Sequence, residues 1–312
     1  MNDTVDAVTA WAGLGARQVS TNGIELRVVE HGTGPLVVLC HGFPELGFSW
    51  RHQVFALAAA GYRTLTPDLR GYGGSSRPDA PAAYDLRTIS ADLVGLLDAA
   101  GADDAVFVGH DWGANVVWHL ALQYPDRVRA VAGLSVPPAA RPPLPPMQVL
   151  RSRFGEDFYM CWFQDPAVAE AVLERSVRTS LSLDGWPVTG GPQAWLSAAS
   201  RRPPWLTDRE LDVFVQTFET TGFTGGLNYY RNIDRNWAQS AELTGLTIDQ
   251  PSLFLTGSED PVRSFMPATR ISDMLTDLRA NIVVDGAGHW IQQERPGDVN
   301  HALIGFLGSL PA

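Results

Sequence analysis

One aspartate stands between two glycines in Gly109-His110-Asp111-Trp112-Gly113, after the apolar run Ala105–Val108 and just before a helical pattern. A strand that turns sharply into a helix leaves no room for Cβ atoms beside the residue at the turn, which accounts for both glycines. The central side chain is then thrust upward at the carboxyl end of the strand. This is the G-x-nucleophile-x-G arrangement, with a carboxylate where serine usually stands. The competing reading is an aspartate that merely caps the helix. A carboxylate with an ordinary pKa near ~3.9 is already ionised at neutral pH and needs no base before it attacks. At an acyl carbon it would form only an unstable mixed anhydride. At an sp³ carbon bearing a leaving group it forms an alkyl ester. No G-x-S-x-G occurs elsewhere, so a serine acyl hydrolase has no nucleophile here.

Three other loops carry groups that such an ester would need. His41-Gly42-Phe43-Pro44 follows the apolar run Leu36–Cys40, Glu259-Asp260 follows Pro251–Thr256, and His289 follows Ala280–Val284. In an open parallel sheet ligands bind at the carboxyl ends of the strands, and all of these loops sit at such ends. Nucleophile, acid and histidine occur in that order along the chain. His289 can activate a water against the ester carbonyl. Its acid partner follows by elimination: the loop after Val128–Ser135, Gly133-Leu134-Ser135-Val136-Pro137, holds no carboxylate. Asp260 is the choice and Glu259 the fallback. The tetrahedral oxyanion formed on Asp111 needs donors, and the backbone N–H groups of Phe43 and Trp112 are the natural pair.

The elements that must position these loops are legible in the same pattern. Continuous apolar runs read as strands buried on both faces: Leu36–Cys40, Tyr62–Pro67, Ala105–Val108, Val128–Ser135, Pro251–Thr256 and Ala280–Val284. Helical patterns lie between them at Phe48–Ala60, Leu86–Ala100, Ala114–Tyr124, Ser264–Leu275 and Pro296–Leu310. The alternation predicts an α/β architecture: a mostly parallel central sheet with helices on both faces. Thr21–Gly32 alternates apolar and polar residues and reads as an edge hairpin or strand. A stiff proline-rich connector begins at Pro137 and runs to Pro146; from there to about Leu243 the pattern is helical. The expected organisation is one core, residues 1–136 and 246–312, interrupted by a helical lid, or cap, over residues 137–245.

Composition narrows the function classes. The 312-residue chain carries a net charge of −11, and all its basic residues are arginine. A P-loop lysine and Schiff-base lysine chemistry are thereby excluded. The acidic balance argues against nucleic acid and against an anionic membrane as partners. Cys40 and Cys161 lie far apart in sequence and suit a reducing compartment; no apolar run reaches membrane length, and no signal peptide is expected from the acidic first residues. The expectation is a cytoplasmic enzyme without cofactor or metal.

Displacement at carbon leaves the leaving group open, halide or epoxide oxygen. An epoxide oxygen departs as an alkoxide and needs a donor that is uncharged beforehand, which tyrosine supplies. The insertion offers Tyr159 and the pair Tyr229-Tyr230. Over essentially its whole length the chain resembles the soluble epoxide hydrolases of the α/β-hydrolase fold. The motifs that carry the resemblance are HGFPE (His41–Glu45), DLRGYG (Asp68–Gly73), GHDWG (Gly109–Gly113), YMCWFQDPAVAEAVLE (Tyr159–Glu174) and LNYYRNIDRNW (Leu227–Trp237), with GSEDPV and GAGHWIQQERP behind them. GHDWG is shared with haloalkane dehalogenases; the two lid motifs are much more specific. One departure is Gly74, where many members carry aspartate, and it touches loop rigidity alone.

The resemblance implies Asp111 as nucleophile, His289 and Asp260 as the water-activating pair, and Tyr159 and Tyr230 as ring-opening donors, with Tyr229 a packing neighbour. The substrate pocket is expected to be walled by His41, Pro44, Trp162, Trp186 and Trp290, and to take a small apolar or aromatic epoxide with water as co-substrate. The alternatives are a haloalkane dehalogenase, cradling halide with the Trp112 indole and a second donor such as Trp162, and a catalytically retired ligand receptor, which would lack a triad member. The oligomeric state, including a homodimer, stays open.

Overall fold

A computed structural model describes residues 6–182, 186–199 and 201–311. Its strands are β1 (Arg17–Thr21), β2 (Ile24–His31), β3 (Leu36–Cys40), β4 (Arg63–Pro67), β5 (Ala105–His110), β6 (Val128–Leu134), β7 (Ser252–Gly257) and β8 (Leu278–Val284). They form one sheet in the order β1-β2-β4-β3-β5-β6-β7-β8. β2 runs antiparallel to β1 and β4, and every other pairing is parallel. β3 and β5 are buried at every residue, the signature of strands covered on both faces. The edge strand β8 alternates between half-buried and exposed.

Helix placement follows from connection handedness. From β3 the chain passes through helix Arg51–Ala59 to β4 on one side; from β4 through Leu86–Ala100, and from β5 through Trp112–Gln123, it moves the other way. Right-handed crossovers in opposite directions put their helices on opposite faces. Leu86–Ala100 accordingly packs against Trp112–Gln123, and Arg51–Ala59 against Pro296–Gly308. The reversal falls between β3 and β5, where the loops leaving the strand ends part and open a crevice. The loops of His41–Pro44 and Asp111 therefore face each other across it.

Of the two readings of the edge element, hairpin or strand, the hairpin holds: it begins earlier, at Arg17, with β1 and β2 joined at Asn22-Gly23, both at positive φ (44° and 76°). That is the backbone a two-residue hairpin turn demands, and Asn-Gly supplies it. The expected helix Ser264–Leu275 is two short 3₁₀ segments, Pro261–Ser264 and Ala268–Asp273. Pro267, lacking an N–H, stands between them and stops helical hydrogen bonding from running through.

Between β6 and β7 the described regular elements are a 3₁₀ turn, Ala241–Leu243, and the α-helices Pro146–Phe154, Tyr159–Trp162, Pro166–Glu174, Val177–Ser180, Gly191–Ser197, Asp208–Thr221, Thr224–Arg231 and Ile233–Gln239. The last two are tied to the sheet-bearing core by polar contacts. Tyr229 Oη donates to the Arg70 carbonyl (2.9 Å), Asn232 Nδ2 to the Pro81 carbonyl (2.6 Å), and Arg235 pairs with Asp85 (2.9 Å). A second attachment is buried: Arg51 pairs with Glu210 at 2.6 Å, where Glu210 closes a capping box with Thr207 at the start of Asp208–Thr221. Both cysteines are free and buried, and no helix among the described residues is long and apolar enough to cross a membrane.

Candidate active site

Asp111 follows β5 with φ 54° and ψ −118°, a backbone conformation costly for a side-chain-bearing residue, of order 1–3 kcal/mol. The flanking glycines permit it. A Cβ on Gly109 would sit 2.2 Å from the Gly113 carbonyl oxygen, and one on Gly113 would sit 2.1 Å from that of Cys40. Although Asp111 occupies the position before helix Trp112–Gln123, its side chain makes no capping bond. Instead Oδ1 accepts the Phe43 N–H at 2.8 Å. The helix-cap reading is therefore ruled out, and the carboxylate faces the loop after β3. Trp112 is the first residue of the helix, where backbone N–H groups lack intrahelical partners.

On the other side, Asp111 Oδ2 lies 3.5 Å from His289 Nε2. His289 Nδ1 lies 3.1 Å from each carboxylate oxygen of Asp260. Asp260 is buried and also accepts the Val262 N–H at 2.9 Å, whereas Glu259 is exposed. Of the two acids, Asp260 is the one placed beside His289. Burial alone would raise the Asp260 pKa, but His289 and the Val262 N–H bring it below the ordinary carboxylate value. Burial opposes charge on His289 too, yet the Asp260 and Asp111 carboxylates raise its pKa well above the ordinary value.

Tyr159 and Tyr230 stand over this group, with ring centroids 5.8 Å apart. Tyr230 packs edge-on against Phe43 (5.4 Å) and Trp112 (5.1 Å). Burial first, and then the charge of Asp111, holds both tyrosine hydroxyls protonated well above their ordinary pKa. Tyr229 is buried elsewhere, its hydroxyl given to the Arg70 carbonyl, and its pKa is raised by burial and then by Asp92. Adjacent tyrosines on one helix thus point to different surroundings.

The expected pocket residues divide. Trp290 packs on the His289 ring (4.7 Å), and Trp186 on Trp290 (5.9 Å) and Phe43 (5.9 Å). Pro44 is buried directly after Phe43. Trp162 lies further out, its ring neighbours being Phe163 and Trp195. His41 is no pocket wall. It is fully buried, with Nδ1 2.9 Å from the Gly42 carbonyl and Nε2 accepting the Leu69 N–H at 3.0 Å, so it clamps the loop carrying Phe43 to the loop after β4.

Sequence reasoning missed a buried network behind His289. The carbonyl of His289 accepts from His110 Nε2 (2.8 Å) and from Ser135 Oγ (2.7 Å). His110 Nδ1 lies 2.7 Å from Glu45, whose carboxylate also accepts from the Gly42 N–H, Gln292 and Gln293. Burial alone would raise the Glu45 pKa; His110 and the other donors pull it down to about 2. The available signal was polar residues inside otherwise buried stretches: Glu45 in HGFPE and the Gln292-Gln293 pair. Among the described residues no group of three His, Cys, Asp or Glu side chains is placed to hold a metal ion.

Comparison with known proteins agrees with this geometry. Residues 35–296 match the family model described as alpha/beta hydrolase fold. The chain is 51% identical to epoxide hydrolase A of Mycobacterium tuberculosis, over 94% of this chain and 97% of that protein. It is 40% identical to epoxide hydrolase 2 of Siraitia grosvenorii, over 93% and 96% respectively. The crystal structure of epoxide hydrolase A from Mycobacterium thermoresistibile superposes with a TM-score of 0.91 at 50% identity, covering 95% of this chain and 99% of that one. The chain belongs to the epoxide hydrolases of the α/β-hydrolase fold.

Proposed function

We propose that the protein adds water to an epoxide in two half-reactions on Asp111, giving a vicinal diol. In the first, an Asp111 carboxylate oxygen attacks a ring carbon, the C–O bond breaks, and the departing oxygen takes a proton from Tyr159 or Tyr230. The product is an alkyl ester of Asp111 and a tyrosinate. In the second, His289 removes a proton from water as that water attacks the ester carbonyl carbon. The oxyanion is held by the N–H groups of Phe43 and Trp112, and Asp260 stabilises the imidazolium. Collapse releases the diol, and the imidazolium proton returns to the tyrosinate. The observation that carries this reading is the position of Asp111, with Oδ1 2.8 Å from the Phe43 N–H and Oδ2 3.5 Å from His289 Nε2.

Alkylation has a further consequence for the base. It removes the Asp111 charge, one of the two that raise the His289 pKa, and so moves that pKa downward for the step in which the histidine accepts a proton. Against a dehalogenase stands the tyrosine pair over Asp111, a donor set suited to a departing alkoxide oxygen. All three triad members are present, which removes the reason to read a retired receptor. The helical insertion, residues 137–245, acts in this reading as the lid that closes the crevice over a small apolar or aromatic epoxide. The test is a His289→Gln variant mixed with styrene oxide and followed by intact mass. One equivalent of alkyl adduct on Asp111 is expected; unmodified protein during substrate exposure refutes the ester.

A further inference from the structure

Trp186 is the aromatic residue that joins the two halves of the site. Its ring lies 5.9 Å from Phe43, 6.5 Å from Tyr159 and 5.9 Å from Trp290, so it spans the space between the oxyanion loop, a ring-opening tyrosine and the residue after His289. Its indole Nε1 is sealed from solvent and has no hydrogen-bond partner among the described residues. Its neighbour Trp195, packed on it at 4.5 Å, by contrast donates to the Pro187 carbonyl at 3.0 Å. An indole nitrogen can only donate, and a buried donor left unpaired is costly. The same group becomes an asset when the bound molecule brings an acceptor to it.

We infer that Trp186 is a specificity-determining residue, its Nε1–H donating to an oxygen acceptor that the substrate carries beside the oxirane, as a glycidyl ether does. This rests on the epoxide-hydrolase reading of the site. A plain hydrocarbon epoxide leaves the indole unpaired in the complex, whereas an ether or carbonyl oxygen in the same place satisfies it. Sites built around a buried donor discriminate against substrates that lack its partner. Trp162 Nε1 is unpartnered as well, but its ring neighbours are Phe163 and Trp195, one layer behind the site.

The test compares butyl glycidyl ether with 1,2-epoxyoctane, which differ by an oxygen in place of one methylene. The quantity read is the ratio of their kcat/KM values in the unaltered protein divided by that ratio in Trp186→Phe, so the intrinsic reactivity of each epoxide cancels. Phe keeps an aromatic wall and removes the N–H. A drop of roughly tenfold in the ether-to-hydrocarbon ratio is expected, equivalent to about 1.4 kcal/mol. An unchanged ratio overturns the inference, as does an equal loss on both substrates, which would make Trp186 a packing residue. Trp162→Phe removes the comparable N–H from the layer behind, and an equally large drop there would overturn the placement at Trp186. Failure of the unaltered protein to hydrolyse either epoxide would instead refute the underlying functional reading.

Discussion

Replacing Asp260 by Asn tests how the second half-reaction is driven. In the structure both Asp260 oxygens lie 3.1 Å from His289 Nδ1, and the acid is buried. At an effective dielectric constant of ~20, a unit charge at that distance stabilises an imidazolium by about 5 kcal/mol. That is close to four decades in rate for a step that creates the imidazolium. Ester hydrolysis is such a step; alkylation at Asp111, which moves no proton onto His289, is not. Asp260→Asn is therefore expected to slow hydrolysis by roughly 10³–10⁴-fold, with alkylation changed by about tenfold or less. Stopped-flow tryptophan fluorescence separates the two phases, and rapid acid quench with intact mass counts the ester, which should approach one per chain. In addition, the acidic limb of kcat, which reports His289 in the ester, moves to lower pH in the variant. The sign follows because removing a neighbouring negative charge lowers the pKa of the cationic acid. Equal slowing of both phases, or unmodified enzyme in the steady state, would refute the assignment of Asp260 to the hydrolytic step.

Two further outcomes follow from the buried groups. Tyr159→Phe and Tyr230→Phe are each expected to cut the alkylation rate about tenfold to hundredfold, and the double variant to abolish ring opening; turnover retained in the double variant would contradict the donor role. Glu45, with its folded pKa of about 2 against an ordinary 4.5, contributes stability that is fully present above pH 4.5 and is lost as pH falls through 2. The contribution is about 3 kcal/mol at neutral pH. Urea denaturation at pH 7 and pH 3 should therefore show Glu45→Gln losing stability against the unaltered protein mainly at pH 7, and a gap independent of pH would contradict it.

The parts of this site that were legible in sequence share a physical cause. Strands covered on both faces must be apolar throughout, so Leu36–Cys40 and Ala105–Val108 announced themselves, and the loops after them located Phe43 and Asp111. The glycines beside Asp111 were readable because a Cβ there would meet backbone about 2.1–2.2 Å away. Roles that depend on distant partners were not readable. The sequence places His41 beside the oxyanion loop, but its two backbone partners, one from the loop after β4, make it a clamp. The Glu45 network gathers residues 42, 45, 110, 292 and 293, and nothing local marks a carboxylate that the meeting of three separate segments will bury. The helix expected over Ser264–Leu275 failed where apolar spacing was read through Pro267. Trp162 and Trp186 looked alike in sequence because helices as short as Tyr159–Trp162 give no face to read.

The central claim is that an Asp111 oxygen, and not water, first attacks the epoxide. One turnover of styrene oxide by excess enzyme in H₂¹⁸O, with mass analysis of the diol and of the peptide containing Asp111, measures this directly. The covalent route predicts unlabelled diol from the first turnover and one ¹⁸O in the Asp111 carboxylate. Label in the first diol with an unlabelled Asp111 would contradict it.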